Sequence, residues 1–194
     1  MLIKNSFEVA KPVDKVWRFF DDIPAVAACL PGTELTDNLG GDAYKGKVAI
    51  GMGPVKLQFG GTAQIKERDD AAKRIVVDAA GSDEKGRGNA SLTGTASLVA
   101  AHGGTRVDVA LDLQLSGAAA QYGRGMISDV TEILMRDFAT RMQARIDAAD
   151  RGVSPDQLAA PAAASGFAIG LRAMRLALAR VFARFFLPYR PRPN

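Results

Sequence analysis

The sequence is short of the residues that carry most site chemistry. One cysteine and one histidine in 194 residues exclude an intramolecular disulfide and multi-cysteine or His-rich metal sites, and leave one candidate for a His-based triad. No metal-ligand spacing, nucleophile elbow or P-loop is present. Aromatics are only 7%, so an interior has less bulk than usual to fill it. Hydrophobic residues at 47% and charged residues at 24% exclude wholesale disorder and a polytopic membrane protein. The first residues, Met-Leu-Ile-Lys-Asn-Ser, are expected to open a strand of the body, not a signal peptide. The length fits one domain of ~100–150 residues with an appendage.

Charge is unevenly placed. Residues 152–194 carry six arginines against Asp156, a net +5, while the whole chain carries +4; the first 151 residues are therefore close to neutral. The basic character belongs to the tail, which argues against a nucleic-acid-binding body.

Patterning predicts the elements. Residues 2–10 alternate loosely as a strand. Pro12 followed by Val13, Val16, Trp17 and Phe20 has helical spacing, and a second short helix over 24–30 stops at Pro31-Gly32. From 43 to 116 the chain reads as antiparallel strands separated by glycine and charge. Arg106–Leu115 is the clearest of them, apolar at every odd position, with a hairpin at Gly103-Gly104. A long helix over about 122–150 carries the stripe Ile127, Val130, Leu134, Phe138, Met142 and Ile146, with Asp129, Glu132, Arg136 and Asp137 off it. The fold class is therefore α+β: a curved antiparallel sheet wrapped over a long C-terminal helix. Residues 1–151 form this domain, 152–166 a flexible Pro/Ala/Gly linker, 167–187 a separate amphipathic tail helix, and 188–194 a Pro/Arg-rich end.

Candidate chemistry in the body is sparse. His102 reads as a solvated turn residue and Cys29 as a buried, inert thiol. The pairs Asp21/Asp22, Asp69/Asp70 and Asp83/Glu84 fall where carboxylates cap or solvate. Gly123-Arg124-Gly125 is better explained by close packing of the helix start on the sheet than by phosphate binding, because no βαβ unit precedes it. What remains is a dry interior with abundant glycine and alanine. A cavity lined by Val48, Ile50, Met52, Val55, Leu57, Phe59, Ala63, Val130, Leu134 and Phe138 would suit a hydrophobic ligand; a filled core is the competing reading. Gly46, Gly60, Gly61 and Gly94 permit the cavity but also suit sheet curvature.

In the tail, Phe167, Leu171, Met174, Leu178, Val181, Phe182 and Phe185 gather on one helical face. Arg172, Arg180 and Arg184 lie opposite and Arg175 flanks them. Arginines near mid-helix disfavour spanning a bilayer. An interfacial position, with the apolar face at the acyl boundary and the arginines on anionic headgroups, fits better than a partner-protein groove or docking onto the body.

Phe7-Glu8-Val9-Ala10-Lys11-Pro12-Val13-Asp14-Lys15-Val16-Trp17 resembles the start of START/Bet v 1-like (SRPBCC) proteins. Asp22-Ile23-Pro24, Cys29-Leu30-Pro31-Gly32, Gly51-Met52-Gly53-Pro54-Val55 and Tyr122-Gly123 leading to Phe138 narrow this to a resemblance to the carbon monoxide dehydrogenase CoxG family over about residues 1–150. The resemblance implies a helix-grip fold with an apolar cavity. It also implies a non-enzymatic accessory role to carbon monoxide dehydrogenase or a related molybdenum hydroxylase. The expected ligand is a respiratory quinone, menaquinone or ubiquinone, and the expected place is peripheral, on the cytoplasmic face of the inner membrane. The alternative is a recruitment adaptor or maturation factor that transfers no ligand.

Overall fold

In the computed structural model of the protein, residues 1–52 and 55–153 are described. The expectations for the linker, the tail helix and the Pro/Arg-rich end thus lie outside the described residues, Gly152 and Val153 excepted. The chain runs β1 (Leu2–Val9), α1 (Val13–Phe19), α2 (Ile23–Cys29), β2 (Thr33–Gly40), β3 (Ala43–Met52), β4 (Val55–Asp69), β5 (Arg74–Asp83), β6 (Asn89–Ala101), β7 (Gly104–Leu115), a 3-10 turn over Gly117–Gln121 and α3 (Arg124–Asp150). The strands form one antiparallel seven-stranded sheet in the order β1-β7-β6-β5-β4-β3-β2. Successive hairpins need no crossover, so only β1 joins out of sequence, beside β7.

The sheet's inner face carries the odd positions of β1 and β7 and their register partners, and α3 packs on it beside β1. Curvature is built in by a bulge between Ile65 and Glu67 on β4 and by Gly61, where an added Cβ would run into the carbonyl oxygen of Ala80. That glycine serves close strand approach. Gly123 and Gly125 do not serve close packing, contrary to the expectation: a Cβ at either would meet nothing within 4 Å. β2 has no counterpart in the sequence reading. Thr33–Gly40 is an edge strand, exposed over Thr36–Gly40, so no dry face imposes alternation on it. Asp129, read as off the α3 stripe, is buried.

α1 and α2 close one end of the grip. The side chain of Asp22 caps α2 by accepting from Ala25 N–H at 3.0 Å. Lys11 bridges Asp147 at 2.6 Å and Asp150 at 2.8 Å, and Lys15 also pairs with Asp150, tying the start of α1 to the last turn of α3. Trp17 is buried and donates its indole N–H to Asp70 at 2.7 Å, while the Arg68 guanidinium lies 4.3 Å from the ring centroid. This fixes the β4–β5 hairpin against α1.

The opposite end is held by a carboxylate. Asp83, its side chain 1% exposed, accepts Nε and Nη2 of Arg87 at 2.8 Å each and the N–H groups of Gln58 and Lys85 at 3.1 Å. Arg87 Nη2 also donates to the Lys56 carbonyl at 3.0 Å. The β5–β6 turn is thereby clamped to the start of β4. Arg87 above all, helped by the backbone N–H donors, holds the Asp83 carboxyl well below the usual carboxylate range. Asp70, Asp147 and Asp150 are lowered in the same direction by Trp17 and Lys11. Carboxylates held low stabilise fully above the unfolded-chain value near ~3.9 and cease to do so as pH falls below it. Acid unfolding is therefore expected below about pH 4. Asp83→Ala, which leaves Arg87 without its partner, is expected to lower the melting midpoint on the order of 10 °C. Thermal melts followed by the Trp17 fluorescence across pH check both; an unchanged midpoint would remove the clamp from the account.

Candidate functional site

The interior is two cores, not one. The first gathers Val9, Val16, Trp17, Phe20, Cys29, Ile75, Leu98, Val107, Phe138, Met142 and Ile146 around α1, α2 and the second half of α3. The second gathers Ile3, Leu57, Phe59, Ala119, Ile127, Val130 and Ile133 around the first half of α3, with Val48, Ile50, Leu111, Leu113 and Leu134 packed against it. A fully buried Val, Leu, Ile, Phe or Met contributes about 1.5–3 kcal/mol, so both cores are worth their ordering entropy.

Between them the inner face of the sheet carries residues of neither cluster. The register places Ala63 opposite Ala79, Ala79 opposite Leu92 and Gly61 opposite Gly81, and Gly94 closes the band opposite Val77 of the first core. Tyr44 and Gly46 extend the band onto β3, and at β7 it ends against Leu113 of the second core; on β1, Asn5 stands between Ile3 of the second core and Phe7 of the first. Ala63, Ala79, Leu92 and Gly94 are only half-buried although they face inward. The interior is thus divided by a strip of small and aliphatic residues that the protein's own side chains leave partly uncovered.

Of the residues predicted to line a cavity, Leu57, Phe59 and Val130 are buried in the second core, and Val48, Ile50 and Leu134 pack against it. Phe138 stands in the first core, edge-on to Phe7 with centroids 5.8 Å apart. It lies two helical turns beyond Val130, about 12 Å along the axis, which carries it past the division. Ala63 lies on the band. The side chains of Met52 and Val55, and every membrane-facing residue predicted in the tail, lie outside the described residues. The sequence reading missed Asn5, Ala79 and Leu92. Asn5 had a signal: it is the one polar residue in the inward series Ile3, Asn5, Phe7, Val9.

Two hollows of about 600 and 590 Å³ are open to solvent. One lies between β1, the β6–β7 turn and the flank of α3, bordered by Asn5, Phe7, Thr105, Glu132, Met135 and Gln143. The other is shallow, on the outer face around Thr62, Ala80, Ser91 and Gln114. The first is also lined by Glu8 and His102, which no hydrogen bond or ion pair joins to each other. Cys29 is fully buried and desolvation pushes its thiol up to about 11; His102 is exposed at the β6–β7 turn. Among the described residues no group of three His, Cys, Asp or Glu could hold a metal ion, and no helix is long and apolar enough to cross a membrane.

A curved seven-stranded antiparallel sheet gripping a long C-terminal helix, with two short helices at one end, defines the Bet v 1-like helix-grip class. Solved structures agree. A conserved protein from Geobacillus kaustophilus matches with TM-score 0.67 and 22% identity, over 76% of this chain and 95% of that one. The Zhui aromatase/cyclase from Streptomyces sp. R1128 matches with TM-score 0.56 and 14% identity, over 79% and 99%. Ara h 8.0201 matches with TM-score 0.51 and 14% identity, over 76% and 98%. Within that class the chain belongs to the carbon monoxide dehydrogenase CoxG family, which matches over residues 6–147. No curated protein matches the sequence.

Proposed function

We propose that this protein is a non-enzymatic accessory of carbon monoxide dehydrogenase, or of a related molybdenum hydroxylase. In this reading it holds a respiratory quinone between the two cores and attaches to the membrane surface through residues 167–187, on the cytoplasmic face of the inner membrane. The observation that carries the reading is the divided interior. Half-buried Ala63, Ala79, Leu92 and Gly94 face inward, and apolar surface left uncovered there favours an apolar guest. An isoprenoid chain exposed to water costs about 0.8 kcal/mol per CH₂, so a dry strip between two cores offsets the cost of leaving the bilayer. Family membership supports the dehydrogenase as partner.

The direct test is to purify the full chain from native membranes, extract it and identify what copurifies by mass spectrometry. Menaquinone or ubiquinone is expected at near one per chain. Protein that folds and carries no apolar molecule would overturn the reading.

A further inference from the structure

The sheet has two edges and they differ. β2 forms one, and its pairing slips between Leu35 and Asp37 and again between Asn38 and Gly40, irregularities that spoil an edge as a template for a further strand. β1 forms the other and runs in unbroken register with β7, from Leu2 opposite Asp112 to Val9 opposite Thr105. One pair shows which backbone groups of β1 face outward. The Leu113 N–H donates to the Met1 carbonyl at 2.9 Å, and the Met1 ammonium donates to the Leu113 carbonyl. Hydrogen-bonded pairs alternate along an antiparallel ladder. The odd residues of β1 therefore turn their N–H and C=O groups to β7, and Leu2, Lys4, Ser6 and Glu8 turn theirs to the open edge.

The side chains along that edge are ordered too. Lys4, Ser6 and Glu8 are all exposed, with the two opposite charges placed symmetrically about Ser6. Neither Lys4 nor Glu8 makes an ion pair among the described residues, and Arg106, across from Glu8 on β7, is held by Asp108 at 3.1 Å. A second β1 laid antiparallel and centred on Ser6 sets Lys4 opposite the partner's Glu8 and Glu8 opposite the partner's Lys4. Each of these pairs can exchange both N–H···O bonds, because all the residues involved are even. Sliding the copy by two residues loses both charge matches, and sliding it by four opposes like charges. The hollow of about 600 Å³ between β1 and α3, bordered by Ser6, Glu8, Met135 and Ala139, opens beside this edge. We propose that β1 is a dimerisation edge, at which two copies of this chain join antiparallel about a two-fold axis through Ser6 to make one continuous sheet. A two-fold contact is self-complementary, so each charge match occurs twice. The inference does not rest on the ligand reading.

The test is sedimentation velocity on the full-length protein over a range of concentrations. The wild type is expected to approach twice the chain's 20.5 kDa as concentration rises. Lys4→Glu and Glu8→Lys, each of which opposes like charges at both matches, are expected to weaken dimerisation about tenfold. The double variant Lys4→Glu/Glu8→Lys should recover it, and an equal mixture of the two single variants should form mixed dimers. Ser6→Pro removes an N–H from the open edge alone and is expected to leave a folded monomer. A wild type that stays at the monomer mass at every concentration its solubility allows overturns the proposal. So does a dimer that neither single variant weakens, since its contact then lies elsewhere. A loss in both single variants that neither the double variant nor the mixture recovers makes the charges structural and overturns the register with it.

Discussion

Vesicles carrying anionic lipid are expected to sediment the full-length protein, and a chain ended at residue 166 is expected to stay in the supernatant, with partitioning at least a hundredfold weaker. A hundredfold is about 2.8 kcal/mol. Three arginines near an anionic surface supply that at about 1 kcal/mol each, before any contribution from Phe167, Leu171, Phe182 and Phe185 entering the acyl boundary. The full-length Arg172→Glu/Arg175→Glu/Arg180→Glu/Arg184→Glu variant is expected to detach as well, and raising salt should weaken the wild type first. The first 151 residues are close to neutral as a whole. Equal sedimentation of the truncated chain would move the attachment into the body and end the tether proposal.

The second large effect concerns the band. Ala63→Trp places an indole where Ala63 faces Ala79 across β4 and β5. In a filled interior such a substitution forces off-rotamer side chains and backbone shifts, costing about 1–3 kcal/mol or more. Over a partly uncovered strip it should fold with little loss. The expected result is a near-wild-type melting midpoint together with more than a tenfold loss of decylubiquinone binding, while vesicle partitioning is unchanged. Ala79→Phe, on the facing strand, should reproduce the loss more mildly. A recruitment adaptor that transfers no ligand predicts something else: dehydrogenase still gathers at vesicles and passes electrons to quinone as before. Electron flow from the dehydrogenase to membrane quinone, measured with both variants, separates the two. Undiminished flow would favour the adaptor.

The contrast between Gly61 and Ala63 shows how far the sequence could be read. Both are small residues on the same inward face, and composition alone treats them alike. Only the packed backbone shows that Gly61 is required by its approach to Ala80, whereas Ala63 leaves space uncovered. The α3 stripe and the alternation of β7 were legible because each is a single-element pattern with one dry side. β2 was not, because from Thr36 onward this edge strand is exposed on both faces and has no alternation to read. The division of the core was also hidden. Val130 and Phe138 share one helical stripe, and only the axial distance between them, set against the sheet, assigns them to different clusters. Asn5 was legible in principle as a polar break in an inward apolar series; recognising that its buried amide nitrogen lacks a hydrogen-bond partner among the described residues needed the fold.

The ion pairs from Lys11 and Lys15 to Asp147 and Asp150 fix the last turn of α3. That turn lies at the α1 end of the grip, and α3 separates it by about 40 Å from the end that Asp83 clamps. Residues 154–166 can bridge at most about 45 Å, just enough to match that length. Under the proposed membrane attachment, that reach allows either pole of the body to be turned toward the lipid. Removing half of those connecting residues should confine the protein to one orientation.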